Sequence, residues 1–226
     1  MIIQPQIIGS GGGSAYNNVC TDGTCFQYSS WQDLPDFIKE LDTSQMTTMQ
    51  KMFYYCTSVK AIDLRGWDVS NVTDMSNMFC RLVACNTIDL SGWDTSNVTD
   101  MNNMFYHYGA VVGSTGTNLY LGDHWDMGAV TNVDSMFTKA QNRQTLTNVT
   151  GTITDLGKAF TANTTLDLSY CPLTNASAMV FINGLYDLVS VGSSLTHTIK
   201  FSSTTYGYLS AADIAVATAK GWTVTS

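Results

Sequence analysis

Two rhythms of apolar residues alternate along the middle of the chain. In Ile62-Asp63-Leu64 and Ile88-Asp89-Leu90 apolar and polar residues alternate, which predicts short strands with one side buried. In Val72-Thr73-Asp74-Met75-Ser76-Asn77-Met78-Phe79 the apolar positions fall at i, i+3, i+6 and i+7. That spacing predicts one face of about two helical turns, with Asn71 or Thr73 placed to cap its start. Gly66 and Gly92 stand where the chain must turn after each strand. One unit therefore reads as a short helix, a turn and a short strand.

The unit repeats. Asp68-Val69-Ser70-Asn71-Val72-Thr73-Asp74-Met75-Ser76-Asn77-Met78-Phe79 returns at Asp94–Phe105 with ten of twelve positions identical. Weaker copies lie at Thr43–Phe53, Val130–Phe137 and Ile153–Phe160, and Leu173–Phe181 reads as a last, degenerate one. The phenylalanines from Phe53 to Phe160 are spaced 26, 26, 32 and 23 residues apart. The strand half recurs as Leu119–Asp126 and Leu166–Ser169. A single unit cannot bury its own apolar face, whereas stacked units can. Each Met, Phe, Ile or Leu so buried contributes roughly 1.5–3 kcal/mol. The fold class expected is an α/β repeat, a leucine-rich-repeat-like solenoid of helix–turn–strand units with caps at both ends.

The phrase Ile88–Phe105, IDLSGWDTSNVTDMNNMF, resembles the BspA-like leucine-rich repeat family. The likeness covers about residues 43–181 and is strongest over 62–105. It implies surface display and adhesion to host proteins or glycans, and it supplies no catalytic residue. The stretch Leu209–Val224 also resembles a cap that closes such arrays. Its own pattern agrees: Ser210 starts a short helix, Gly221 ends it, and Trp222-Thr223-Val224 reads as a terminal strand.

This divides the chain into residues 1–15 as tail and Gly-rich linker, 16–42 as N-terminal cap, 43–200 as repeats and 201–226 as C-terminal cap. Within 16–42, Leu34, Phe37, Ile38 and Leu41 share one face of a short amphipathic helix that opens near Pro35. At the start, Ile2, Ile3, Ile7 and Ile8 flank Gln4-Pro5-Gln6 and precede a glycine run. Two readings stand for them: a flexible tail, or an anchor that pairs with a partner subunit by strand addition. The glycine run lacks the Lys-Ser/Thr of a phosphate loop.

Composition narrows function. Charged residues make up 12% of the 226, about half the usual share, and the net charge is −8. Nucleic acid is thus not an expected partner, because phosphate contacts need clustered Lys and Arg. Without a run of 18 apolar residues, no membrane insertion is expected. The first residues lack the basic segment of a secretion signal. That points to a virion protein of a bacterial virus, held by its N-terminal segment, with a BspA-like cell-surface adhesin as the alternative. Either location is extracellular, and self-association into a homo-oligomer is compatible with both.

Six cysteines, including C-x4-C pairs at Cys20/Cys25 and Cys80/Cys85, read as free, mostly buried thiols; their spacing fits no zinc site. No cofactor is expected. His107, His124 and His197 lie in different units with no nucleophile motif beside them, so no catalytic site is assigned. Asp63, Asp89 and Asp167 form an outward column and Asp68, Asp94 and Asp126 end the strands; turn capping is the expected use, calcium the competing one. Trp67, Trp93 and Trp125 read as a buried ladder, with a glycan-stacking stripe as the competing reading. The sequons at Asn71, Asn97, Asn148, Asn163 and Asn175 follow mostly from the repeat itself. The candidate ligand-binding loop is the insertion that stretches the third unit, with Tyr106, His107 and Tyr108 at its start.

Overall fold

The computed structural model describes residues 26–109, 116–138 and 146–226. After one short helix, α1 (Asp36–Lys39), come four strands: β1 (Ala61–Asp63), β2 (Thr87–Asp89), β3 (Thr117–Asp126) and β4 (Leu146–Thr154). They form one sheet in chain order, every pair parallel. The register sets Ile62 beside Ile88, Ile88 beside Leu119 and Leu119 beside Val149, so equivalent residues of successive units stack. A second parallel sheet joins β5 (Thr165–Leu168), β6 (His197–Phe201) and β7 (Trp222–Thr225). Between these strands lie α2 (Asn175–Gly184), α3 (Ser203–Tyr208) and α4 (Ala211–Ala219). Among the described residues no helix is long and apolar enough to cross a membrane.

The helix expected over Val72–Phe79 does not form. The segment is a chain of tight turns laid against its neighbours. Alternate N–H groups leave the unit: Met75, Asn77, Phe79 and Arg81 donate to the carbonyls of Asp100, Asn102, Met104 and Tyr106, at 2.8–3.0 Å. The groups between, on Met78 and Cys80, close three-residue turns onto Met75 and Asn77. Asn77 and Arg81 hold φ of 60° and 63°, which a right-handed helix forbids. The unit before and the unit after repeat the pattern, and Thr48, Asp74, Asp100 and Asn132 form a row of parallel bridges. The apolar spacing fits both geometries, because each three-residue turn brings a side chain back to the same inner wall.

The polar half of the repeat also bonds between units rather than capping helices. Asn71 and Asn97 donate through Nδ2 to the carbonyls of Ser44 and Ser70, 2.8 and 2.7 Å. Thr73, Thr99 and Thr131 do the same from their hydroxyls onto Thr47, Thr73 and Thr99. The aspartates close local turns: Asp68, Asp94 and Asp126 accept from the N–H of Ser70, Ser96 and Gly128. Asp89 and Asp167 accept likewise from Ser91 and Ser169.

Inside, aromatic rings run in rows. Phe53, Phe79, Phe105 and Phe137 stack at 5.8, 5.6 and 5.4 Å with their ring planes nearly parallel. Trp67, Trp93 and Trp125 stack at 6.5 and 6.4 Å and are buried, so they form no glycan stripe. Each indole N–H of the first two donates 2.8 Å to a buried carbonyl, of Ile38 and Leu64, which removes the cost of burying it. Cys56, Cys80 and Cys85 are free and buried and Cys171 is buried, while Cys20 and Cys25 lie outside the described residues.

The caps differ in extent from their sequence limits. Stacking already begins at Phe26, whose N–H donates to the Met52 carbonyl, inside the segment read as N-terminal cap. Helix α1 is a single turn that buries Ile38. The segment Leu173–Phe181 carries a true helix, α2, started by Thr174, and Phe181 meets the phenylalanine row edge-on at 5.5 Å. At the end, Ser210 and Asp213 form a reciprocal capping box on α4, Gly221 turns at φ 85°, and β7 extends the sheet as expected.

Candidate functional site

The two residues that follow each of Phe26, Phe53, Phe79 and Phe105 form an edge at which all but Cys80 are at least partly exposed. In successive units they are Gln27-Tyr28, Tyr54-Tyr55, Cys80-Arg81 and Tyr106-His107. Their backbone is fixed by bonds between units. Tyr28 N–H donates to Tyr54, Tyr55 to Cys80, Arg81 to Tyr106 and His107 to Thr138, at 2.8–3.1 Å. Tyr28, Tyr55, Arg81 and His107 all stand at φ between 61° and 63°. For non-glycine residues this left-handed conformation costs on the order of 1–3 kcal/mol each.

Side chains on this edge touch one another. The rings of Tyr28, Tyr54 and Tyr55 lie 4.7–5.7 Å apart, tilted or edge-on, and the Arg81 guanidinium sits 4.8 Å from the centre of the Tyr55 ring. Such a cation on an aromatic face gains about 0.5–1 kcal/mol at an exposed site. Tyr28 is 58% exposed; Tyr54, Tyr55, Arg81, Tyr106 and His107 are half-buried. Burial pushes the Tyr54 phenol above its ordinary value; the charged or ionisable groups acting on it are Cys80, Tyr55, Tyr28 and Arg81, with no carboxylate among them. Burial pushes the Cys80 thiol up to about 11, against the opposing pull of Arg81 and Lys51. In a chain of net charge −8, this edge carries the Arg81 cation.

Of the three loop residues expected to bind, Tyr106 and His107 lie on this edge, as part of the stack rather than of a projecting loop. Tyr108 is a correction: it turns inward, is fully buried, packs on Phe105 and donates its hydroxyl to the Asn118 carbonyl at 2.9 Å. Burial drives its phenol far above the ordinary range. One residue's difference in the turn sends His107 out and Tyr108 in. Residues 110–115 of the insertion lie outside the described residues, as do Ile2, Ile3, Ile7 and Ile8 of the expected anchor. Sequence reasoning missed Tyr28, Tyr54, Tyr55 and Arg81. The signal was present: within a unit that otherwise conserves its residue types, the two positions after Phe26, Phe53, Phe79, Phe105 and Phe137 vary among Tyr, Arg, His, Cys, Gln, Thr and Lys.

A shallow cleft of about 300 Å³ lies between α1 and the sheet, bordered by Asp33, Lys39, Asp63 and Asp89. Two of its acidic groups are engaged: Arg65 pairs with Asp63 at 2.8 Å and with Asp89 at 3.5 Å. Among the described residues no three His, Cys, Asp or Glu side chains are grouped to hold a metal ion.

A family model described as "Mycoplasma protein of unknown function, DUF285" matches residues 24–152 and 108–170. The chain belongs to the DUF285 family. The matched part of this DUF285 protein contains the whole edge from Tyr28 to His107 and all four strands of the first sheet apart from the last two residues of β4 in the longer match, which the second match covers. No curated protein and no solved structure matches the chain.

Proposed function

We propose that this DUF285 protein is a non-enzymatic display module, a leucine-rich-repeat-like solenoid of the BspA-like kind that binds a host-surface protein or glycan. The observation that carries the reading is how the polar groups are used. The Asn, Thr and Asp of each unit bond within the stack, and Tyr28, Tyr54, Tyr55 and Arg81 gather on one edge held by bonds between units. A rigid frame with adaptable side chains at its margin is a common design for recognition, since little ordering entropy is lost on binding.

Its first setting is the virion of a bacterial virus, with residues 1–15 joining a partner subunit. The second is a bacterial cell surface, favoured by the family's description as a Mycoplasma protein. Sedimentation separates them: the full chain and a version lacking residues 1–15 are mixed with particle and with envelope fractions. Incorporation of only the full chain into particles supports the virion setting and the anchor. Retention of both versions by envelope supports the surface adhesin, and retention by neither fraction refutes the display reading.

A further inference from the structure

Four consecutive units place Tyr28, Tyr55, Arg81 and His107 at one strained position, φ 61–63°. The other strained column, four residues earlier in each unit, holds Lys51, Asn77, Asn103 and Ser135, so half of it is asparagine, which tolerates this conformation. At the Tyr28 column neither glycine nor asparagine appears. Strain is kept there in favour of large side chains with flat faces or a cation, and strain retained at successive sites points to use. The core does not require them: Tyr28 is 58% exposed and its neighbours are half-buried.

The chemistry of the edge selects a class of ligand. The N–H groups of Tyr28, Tyr55, Arg81 and His107 are already bonded to the next unit, which leaves these donors unavailable to a peptide adding by strand pairing. Recognition falls to side chains: the phenol rings, Tyr28 the most exposed of them, and Arg81, which makes no ion pair among the described residues. A pyranose ring matches this set, with a flat C–H face for the tyrosines and hydroxyls for their rims. The planar guanidinium fits a carboxylate through two N–H donors. Lys51 adds a second positive charge near Cys80.

We propose that the Tyr28–Tyr54–Tyr55–Arg81 edge binds an acidic saccharide, the sugar face on Tyr28 and Tyr54 and its carboxylate on Arg81. This rests on the display reading above and names its ligand. The test is calorimetric titration of the full chain with sialyllactose, a hyaluronan tetrasaccharide and neutral lactose, and with a polyglutamate peptide. Variants Arg81→Asn and Tyr55→Asn suit the left-handed backbone, and Tyr28→Ala is at an exposed position, so melting should stay near that of the parent. The parent is expected to bind at least one acidic saccharide about tenfold more tightly than lactose, with Arg81→Asn and Tyr28→Ala each losing about tenfold. Weaker binding as salt rises accompanies the Arg81 contact. No acidic saccharide bound, equal binding by the variants, or polyglutamate bound in preference overturns the proposal. Retention of the variants on particle or envelope fractions is measured alongside. If retention persists while no saccharide binds, the ligand assignment fails and the display reading stands; if the parent itself is not retained, the display reading fails.

Discussion

Replacing Asn77 by alanine and by glycine separates stacked turns from a helix by the sign of the effect. Asn77 is half-buried at φ 60°, and its N–H donates 2.8 Å to Asn102 of the next unit. Both replacements keep that backbone bond, so conformation is the main difference between them. In the left-handed region alanine costs about 1–2 kcal/mol through its Cβ. Glycine avoids that cost but gives back roughly 0.5–1 kcal/mol in the entropy of the unfolded chain. The glycine variant should therefore be more stable than the alanine variant by up to about 1.5 kcal/mol. Were residues 72–79 helical, alanine would win by about 1 kcal/mol. At roughly 2–4 °C per kcal/mol for a chain of this size, glycine should melt up to about 6 °C above alanine. Thermal and urea denaturation followed by circular dichroism read the order directly. Asn103, at φ 53° in the next unit, serves as a repeat of the experiment. An alanine variant more stable than the glycine one at both positions would refute the stacked-turn geometry.

Two more predictions concern buried groups. His197 is buried between Phe160 and Trp222, and its Nδ1 accepts the Thr164 N–H at 3.2 Å, which fixes it as neutral. Burial lowers its pKa below the ordinary 6.5, so the unfolded chain takes the proton first as pH falls. Its contribution to stability is complete above pH 6.5 and is lost as pH falls from there through the folded value. Melting from pH 7.5 to 5 should decline more in the parent than in His197→Gln, and equal declines would exclude this origin. Burial also pushes the Cys56 thiol to about 11 and Cys85 to about 12. Neither should react with iodoacetamide at pH 8 until the chain unfolds, whereas labelling in the folded protein, followed by mass spectrometry, would contradict their burial.

The 26-residue period, legible in the sequence, determined that equivalent residues stack, because an apolar face repeated at constant spacing is buried most completely against copies of itself. It therefore placed Ile62 beside Ile88 and Trp67 beside Trp93, and it separated the C-terminal cap with its Ser210 start and Gly221 stop. Local spacing could not decide between helix and turn for Val72–Phe79. The N–H groups of Met75, Asn77 and Phe79 bond to carbonyls about 25 residues away, and such partners exist only once the next unit is in place. The same non-local bonds fix the left-handed turn that aims Tyr28, Tyr55 and Arg81 outward and Tyr108 into the core. The sequence determined which residues repeat; the tertiary stack decided which of them face solvent, since in a left-handed turn one residue reverses the direction of a side chain.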